Sequence, residues 1–275
     1  MKRIAQVVMV ALVAGLLPSA KADQLDLTTA NSFGFINGAA FVQVSPQPTG
    51  SGFIQSFVRI NPGGSANQEQ GYNTDGRPVQ YDENTSPTFT RSVQWSAVTV
   101  VTIGTVPTYT FLLDINQQSA NPLLELTALQ LYAGNAPDLL GFTPGSGFGA
   151  NSTGPLYDLG DNTVLLNYIL NGGSGQGDLA FVIPTSLVSH NNTTFPYLYL
   201  YSRFGPPPVG AAGANDGYEE WAHVSVRIPG VPELFDVPPT PVPAPPAVVL
   251  GVIGVALVGL RRLRGRSHKE PQLAV

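Results

Sequence analysis

Apolar and polar positions alternate with a period of two through most of this 275-residue chain. Tyr109, Phe111, Leu113 and Ile115 alternate with Thr110, Leu112, Asp114 and Asn116, the pattern of a strand with one face more buried than the other. Val93, Trp95 and Ala97 lead into a Val/Thr-rich run, 98–103, that stops at Gly104. Leu124 and Leu126 hold one phase and Leu129 and Leu131 the other. The change between Thr127 and Ala128 fits a bulged strand or a short bend, and is the one place where a helical turn competes. Further strands are expected at 164–170, 179–183, 197–203 and 222–228, with two more at 32–44 and 53–60. Clusters such as Pro62-Gly63-Gly64, Gly145-Ser146-Gly147 and Asn171-Gly172-Gly173 separate them. Short strands with turn-rich joins predict an all-β body, a single antiparallel β-sandwich of jelly-roll type over residues 23–236. The stretch 61–92 is polar and has little periodicity. It is expected to fold as a long loop over one side of the sandwich, with an Asp75-Gly76 turn inside it.

Both ends break this pattern. Lys2 and Arg3 precede an apolar stretch from Ile4 to Leu17, and Ala20-Lys21-Ala22 is a small-x-small cleavage site. Residues 1–22 therefore read as a helical signal peptide, with the exported chain starting at Asp23. At the other end a proline-rich linker, 237–246, precedes an apolar run, 247–260, and a basic tail, 261–275, carrying Arg261, Arg262, Arg264 and Arg266. As a helix the apolar run would reach about 21 Å at 1.5 Å per residue. A bilayer core is roughly 30 Å thick, so this transmembrane segment is short. Its flanking arginines place the tail in the cytoplasm and the body outside.

Prolines, a short membrane segment and an arginine cluster, in that order, resemble the PEP-CTERM sorting signal of bacteria that carry exosortases. The matching motif is Pro243-Ala244-Pro245, with Ala244 where the family has glutamate. The resemblance implies the membrane and an exosortase-type processing enzyme as partners. It also implies a cell-envelope location, either anchored through the C-terminus or released to the extracellular matrix. Several phrases in the body resemble an uncharacterised family of exported proteins with such tails. They are Gly71 to Pro78, Ser86 to Ser92, Phe111 to Gln117, Gly173 to Asp178, Leu200 to Gly205 and Asn215 to Trp221. That likeness implies export and architecture but no reaction.

The formal charge of the whole chain, −5, hides an uneven distribution. Between Asp23 and Asp236 stand five arginines and no lysine against 17 acids, a formal charge of −12. Such a body argues against nucleic acid, whose binding needs cationic neutralisation of phosphate. It suits divalent cations and a polysaccharide-rich exterior. With no cysteine in the chain, disulfides, thiolate metal sites and thiol nucleophiles are excluded. Two histidines in the body, His190 and His223, are too few for a multi-histidine metal centre, and no G-x-S-x-G surrounds any serine.

Asp114 and Asn116 lie two apart at a strand end and so point to one side. Asp178 closes a glycine-rich loop, and Asp216, Glu219 and Glu220 cluster before the last strand. Loops of a sandwich can gather such groups into a Ca²⁺ site, which takes six to eight oxygen ligands. The competing reading is that these are turn residues capping their own backbone. Tyr197, Tyr199 and Tyr201 share one strand face, either as a stacking platform for sugar rings or as half of a sandwich core. The sequence thus describes a non-catalytic structural or carbohydrate-binding module, with a secreted glycosidase acting on exopolysaccharide as the alternative. A glycosidase needs two carboxyls about 5–9 Å apart across a cleft.

Overall fold

Strands make up nearly all the regular structure of the computed structural model, which describes residues 23–44, 55–61, 67–173, 175, 177–206 and 212–224. In chain order they are β1 (Gln24–Asp26), β2 (Phe33–Ile36), β3 (Ala39–Gln43), β4 (Val58–Ile60), β5 (Glu69–Tyr72), β6 (Val93–Gln94) and β7 (Val101–Ile103). Then come β8 (Val106–Asp114), β9 (Leu123–Gly134), β10 (Tyr157–Asp158), β11 (Thr163–Asn167), β12 (Leu179–Pro184), β13 (Tyr197–Phe204) and β14 (Glu219–His223). Only short 3-10 turns supplement them among the described residues, and no helix there is long and apolar enough to cross a membrane. The signal segment 1–22 and the linker, apolar run and basic tail of 237–275 lie outside the described residues.

Two seven-stranded sheets result. One runs β1-β11-β9-β13-β5, with β10 also on β9 and β6 on β13. The other runs β2-β3-β12-β8-β14-β4, with β7 on β8. Pairing among the described strands is antiparallel except for β1 against β11, which is parallel. Alternation decides which side chains go inward. Phe111, Leu113 and Ile115 from one sheet and Leu124, Leu126, Leu129, Leu131, Leu198 and Leu200 from the other join a single apolar core. The fold is therefore all-β and sandwich-like. Trp221 spans the core, its indole N–H donating to the Ser202 hydroxyl of the opposite sheet at 3.0 Å, which satisfies a buried donor.

The expected phase change in β9 is a bulge. Arg203 pairs with Ala128 while Phe204 pairs with Leu126, so Thr127 is left over, and its hydroxyl donates to the Gly205 carbonyl at 2.8 Å. No helical turn forms there. The stretch 32–44 is two strands rather than one. Asn37 and Gly38 both adopt positive φ, 50° and 82°, the geometry of a two-residue hairpin turn, and they fold β2 back onto β3. The last strand begins at Glu219 rather than at Ala222, which puts Glu219 and Glu220 inside the sheet. Within the polar stretch 61–92, β5 pairs with β13, and the chain then returns so that Asp82 N–H donates to Gln70 O at 3.1 Å. Arg77 holds the loop from within, its guanidinium donating to the carbonyls of Thr74, Gly76, Thr85 and Thr90 at 2.7–2.9 Å.

Tyr199 and Tyr201 lie on the face of β13 away from the main core, yet both are fully buried. With Tyr72, Tyr132, Phe142 and Phe148 they form a second, aromatic core beneath the loops that follow β5 and β9. Each buried hydroxyl has a partner: Tyr199 donates to Ala136 O at 2.7 Å and Tyr201 to Gln70 Oε1 at 2.7 Å. The tyrosine stripe is neither a solvent-facing platform at these two positions nor half of the inter-sheet core.

Candidate functional site

The cluster is built where three neighbouring strands reach the same end of one sheet. In β8, Leu113 pairs with Leu179 of β12 on one side and with Trp221 of β14 on the other. One step further along stand Asp114, Asp178 and Glu220, with Glu219 beside Ile115. Period-two alternation then divides the acids. Glu219 follows Trp221 and Ile115 inward, whereas Glu220 turns to the other face, where its carboxylate meets Arg59 Nη2 at 2.7 Å. The Arg59 guanidinium also lies 3.7 Å above the centre of the Phe89 ring.

Asp114, Asp178 and Glu219 are all buried. The glycine-rich turn before β12 covers the first, with Gly175 N–H donating to Asp114 Oδ2 at 2.5 Å. Ile115 N–H donates to Asp178 Oδ2 at 2.8 Å, fixing that carboxylate against the end of β8. Gln117 Nε2 donates to Glu219 Oε1 at 2.7 Å, and Asn116 N–H reaches the same oxygen at 3.4 Å. A fourth carboxyl arrives from the other sheet. Glu69, the first residue of β5, is fully buried, and neither of its oxygens has a donor. Its nearest charged neighbours are Glu219 and Asp82.

Crowding of acids shows in their ionisation. Burial, with repulsion from Glu219 and Asp82, pushes the Glu69 carboxyl far above the usual carboxylate range. Burial also raises Glu219, although Glu69 and the Gln117 amide hold it back through hydrogen bonds. Asp178 is likewise pushed up, first by burial and then by Asp114 and Glu219. Asp178 Oδ1, Glu219 Oε2 and the Gln117 amide oxygen are further buried acceptors with no donor. Such a concentration is unusual, because buried polar atoms almost always find partners.

Of the six residues expected to gather, Asp114, Asp178 and Glu219 are buried near the same end of the sheet, with Asp114 opposite Glu220 and Glu219 on the inward face. Asn116 joins through its backbone N–H, while its side-chain amide donates to Tyr218 O at 3.1 Å. Asp216 does not join: it is exposed and accepts from the adjacent Gly217 N–H at 2.9 Å, the self-capping expected of an Asx turn. Glu220 is committed to Arg59. Glu69 and Gln117 are additions. Glu69 stood in a stretch without periodicity, and only the pairing of β5 with β13 carries it to the site. Among the described residues, no group of three or more His, Cys, Asp and Glu lies close enough together to hold a metal ion.

Comparison with known proteins finds no matching family model, no similar curated protein and no similar solved structure. The site has to be read from its own chemistry. At the two termini, Asp23 is described and exposed, its N–H donating to Asn162 Oδ1 at 3.2 Å. Ala20, Ala22, Pro243, Ala244, Pro245, Arg261, Arg262 and Arg264 lie outside the described residues.

Proposed function

We propose that this chain is an exported, non-catalytic module of the cell envelope or extracellular matrix that binds carbohydrate. A cleaved leader, 1–22, carries it out, and the PEP-CTERM-like tail delivers it to the membrane and an exosortase-type enzyme. Its body is a single jelly-roll-like sandwich. Support for that winding comes from the order of sheets along the chain: from β8 onward it passes to β9–β11 in the other sheet, back to β12, across to β13 and back to β14.

One observation carries the binding reading. Phe33 and Phe35 point to the same face of the edge strand β2 and are 48% and 47% exposed, with their rings packed edge to face at 6.4 Å. Phe35 also borders a groove of about 280 Å³ shared with Gln24, Asn37 and Asn162. Exposed rings beside amide side chains suit the apolar faces and hydroxyls of a sugar. The acids of the cluster, by contrast, are buried.

The full-length protein, purified in mild detergent, tests this against exopolysaccharide from an exosortase-bearing bacterium. Retention of the polymer is expected, with Phe33→Ala and Phe35→Ala each weakening it by about tenfold, the equivalent of roughly 1.4 kcal/mol. No reducing ends should appear. Their release would replace this reading with the glycosidase. Intact-mass spectrometry of protein from the envelope tests the route: a terminus near 243–246 supports processing, whereas an intact Val275 leaves an ordinary anchor.

A further inference from the structure

Two Asp-Gly pairs occur in this chain, Asp75-Gly76 and Asp216-Gly217, and the fold treats them in opposite ways. Asp75 is tied off: Ser92 N–H donates to its Oδ1 at 2.8 Å and the Ser92 hydroxyl to its Oδ2 at 2.7 Å. The Gly76 N–H points elsewhere, to the Thr74 hydroxyl at 2.9 Å. At the second pair the glycine N–H points at the aspartate itself, with Gly217 N 2.9 Å from Asp216 Oδ1. Both neighbours of Asp216 are anchored. Asn215 Oδ1 accepts from Gln118 N–H at 2.7 Å, and the Gly217 carbonyl accepts from the Asn61 amide. Asp216 itself is exposed, so water reaches it.

We propose that Asp216 is a site of spontaneous isomerisation to isoaspartate. The Gly217 nitrogen attacks Cγ of the carboxyl in its acid form. A C–N bond forms, the C–OH bond breaks, the amide proton is given up and one water leaves, closing a succinimide ring. Water then adds back at either ring carbonyl. Addition at Cγ restores aspartate. Addition at the other carbonyl gives isoaspartate, whose main chain runs through the side chain and is one methylene longer. No oxidant or further partner is needed. Glycine has no side chain to obstruct the attack, and the fold holds together two groups that a free chain must bring together by rotation. The longer product does not fit. Gly217 has a φ of +62°, and even an added Cβ there would lie 2.2 Å from Asn116 Cβ, so the extra methylene displaces the chain just before β14.

The decisive experiment keeps the full-length protein, folded in mild detergent, warm at neutral pH for several weeks and maps isoaspartate by electron-transfer fragmentation of its peptides. Isoaspartate at 216 should exceed that at 75 by about tenfold. In a parallel sample unfolded in urea the two pairs should react at similar rates, because the dipeptide is the same and the folded arrangement is gone. The isomerised fraction of the folded sample should melt below fresh protein. Equal yields at the two sites of the folded protein, or none at 216, would overturn the proposal. So would an excess at 216 that persists in urea, since it would owe nothing to the fold. An unchanged Tm would overturn the displacement before β14.

Discussion

Glu219 and Glu220 are consecutive in β14 and serve opposite faces of its sheet. Glu219 turns inward to Gln117 and Glu69, whereas Glu220 turns outward to the Arg59 guanidinium. Two adjacent buried glutamates are therefore not equivalent. One sits among acids that lack a counter-charge and the other completes an ion pair.

That difference is measurable. Glu220→Gln should lower stability by about 2–4 kcal/mol, because it leaves a largely buried guanidinium without its partner. Glu219→Gln should cost little or raise stability, because it removes one of several buried acids without a counter-charge. Urea midpoints, with Arg59→Met closing a double-mutant cycle on Glu220, separate the two effects.

The aromatic core on the outer face of β13 behaves as a separate lock on the long loops. Phe142 lies 4.8–5.3 Å from the rings of Tyr72, Tyr132, Phe148 and Tyr201, and its carbonyl accepts from Gln80 Nε2 and the Tyr81 hydroxyl. Phe142→Ala should remove about 3 kcal/mol. The loss should be local. Proteolysis within 135–156 should accelerate while the far-ultraviolet spectrum of the sheets persists.

Period-two alternation made the long strands legible, since a buried face leaves a regular mark, and even the bulge at Thr127 showed as a change of phase. Short edge strands leave no such mark. β1 has three residues and β5 reads Glu-Gln-Gly-Tyr, with only Tyr72 to mark a buried face, and what fixes its register is its hydrogen bonding to β13. Glu69 was invisible for the same reason. Asp114, Asp178 and Glu219 could be picked out by type and spacing, but Asp216 and Glu220 look identical at that level. Separating them takes the face each occupies, which follows from where β14 begins. The hairpin at Asn37-Gly38 was available in the sequence as an Asn-Gly pair between two apolar runs.

Gly205 controls the approach to Glu69. Its φ is +76°, and a Cβ there would collide with the Asn67 backbone carbonyl, two residues before Glu69. That carbonyl also accepts from Ala214 N–H at 3.0 Å, so it cannot move aside freely. Gly205→Ala should therefore cost about 3 kcal/mol or more, combining left-handed strain with displaced backbone. A thermal melt should show it as a lower Tm.

His223 gives the fold a pH dependence of definite sign. Burial and the nearby Arg91 hold its imidazole below the ordinary histidine pKa, so the folded chain favours the neutral ring. The unfolded chain takes up a proton near pH 6.5. The stability contributed by the neutral ring is thus complete above about pH 6.5 and is lost as the pH falls through the lower, folded value. Glu83, which burial pushes above the carboxylate range, contributes with the opposite sign: its share is present at low pH and is lost as the pH rises through its folded value. Comparison of the native protein with His223→Gln cancels Glu83 and isolates the histidine. The fall in Tm from pH 7 to pH 5 should be smaller in His223→Gln than in the native chain. Equal falls would mean that His223 titrates alike in the folded and unfolded states.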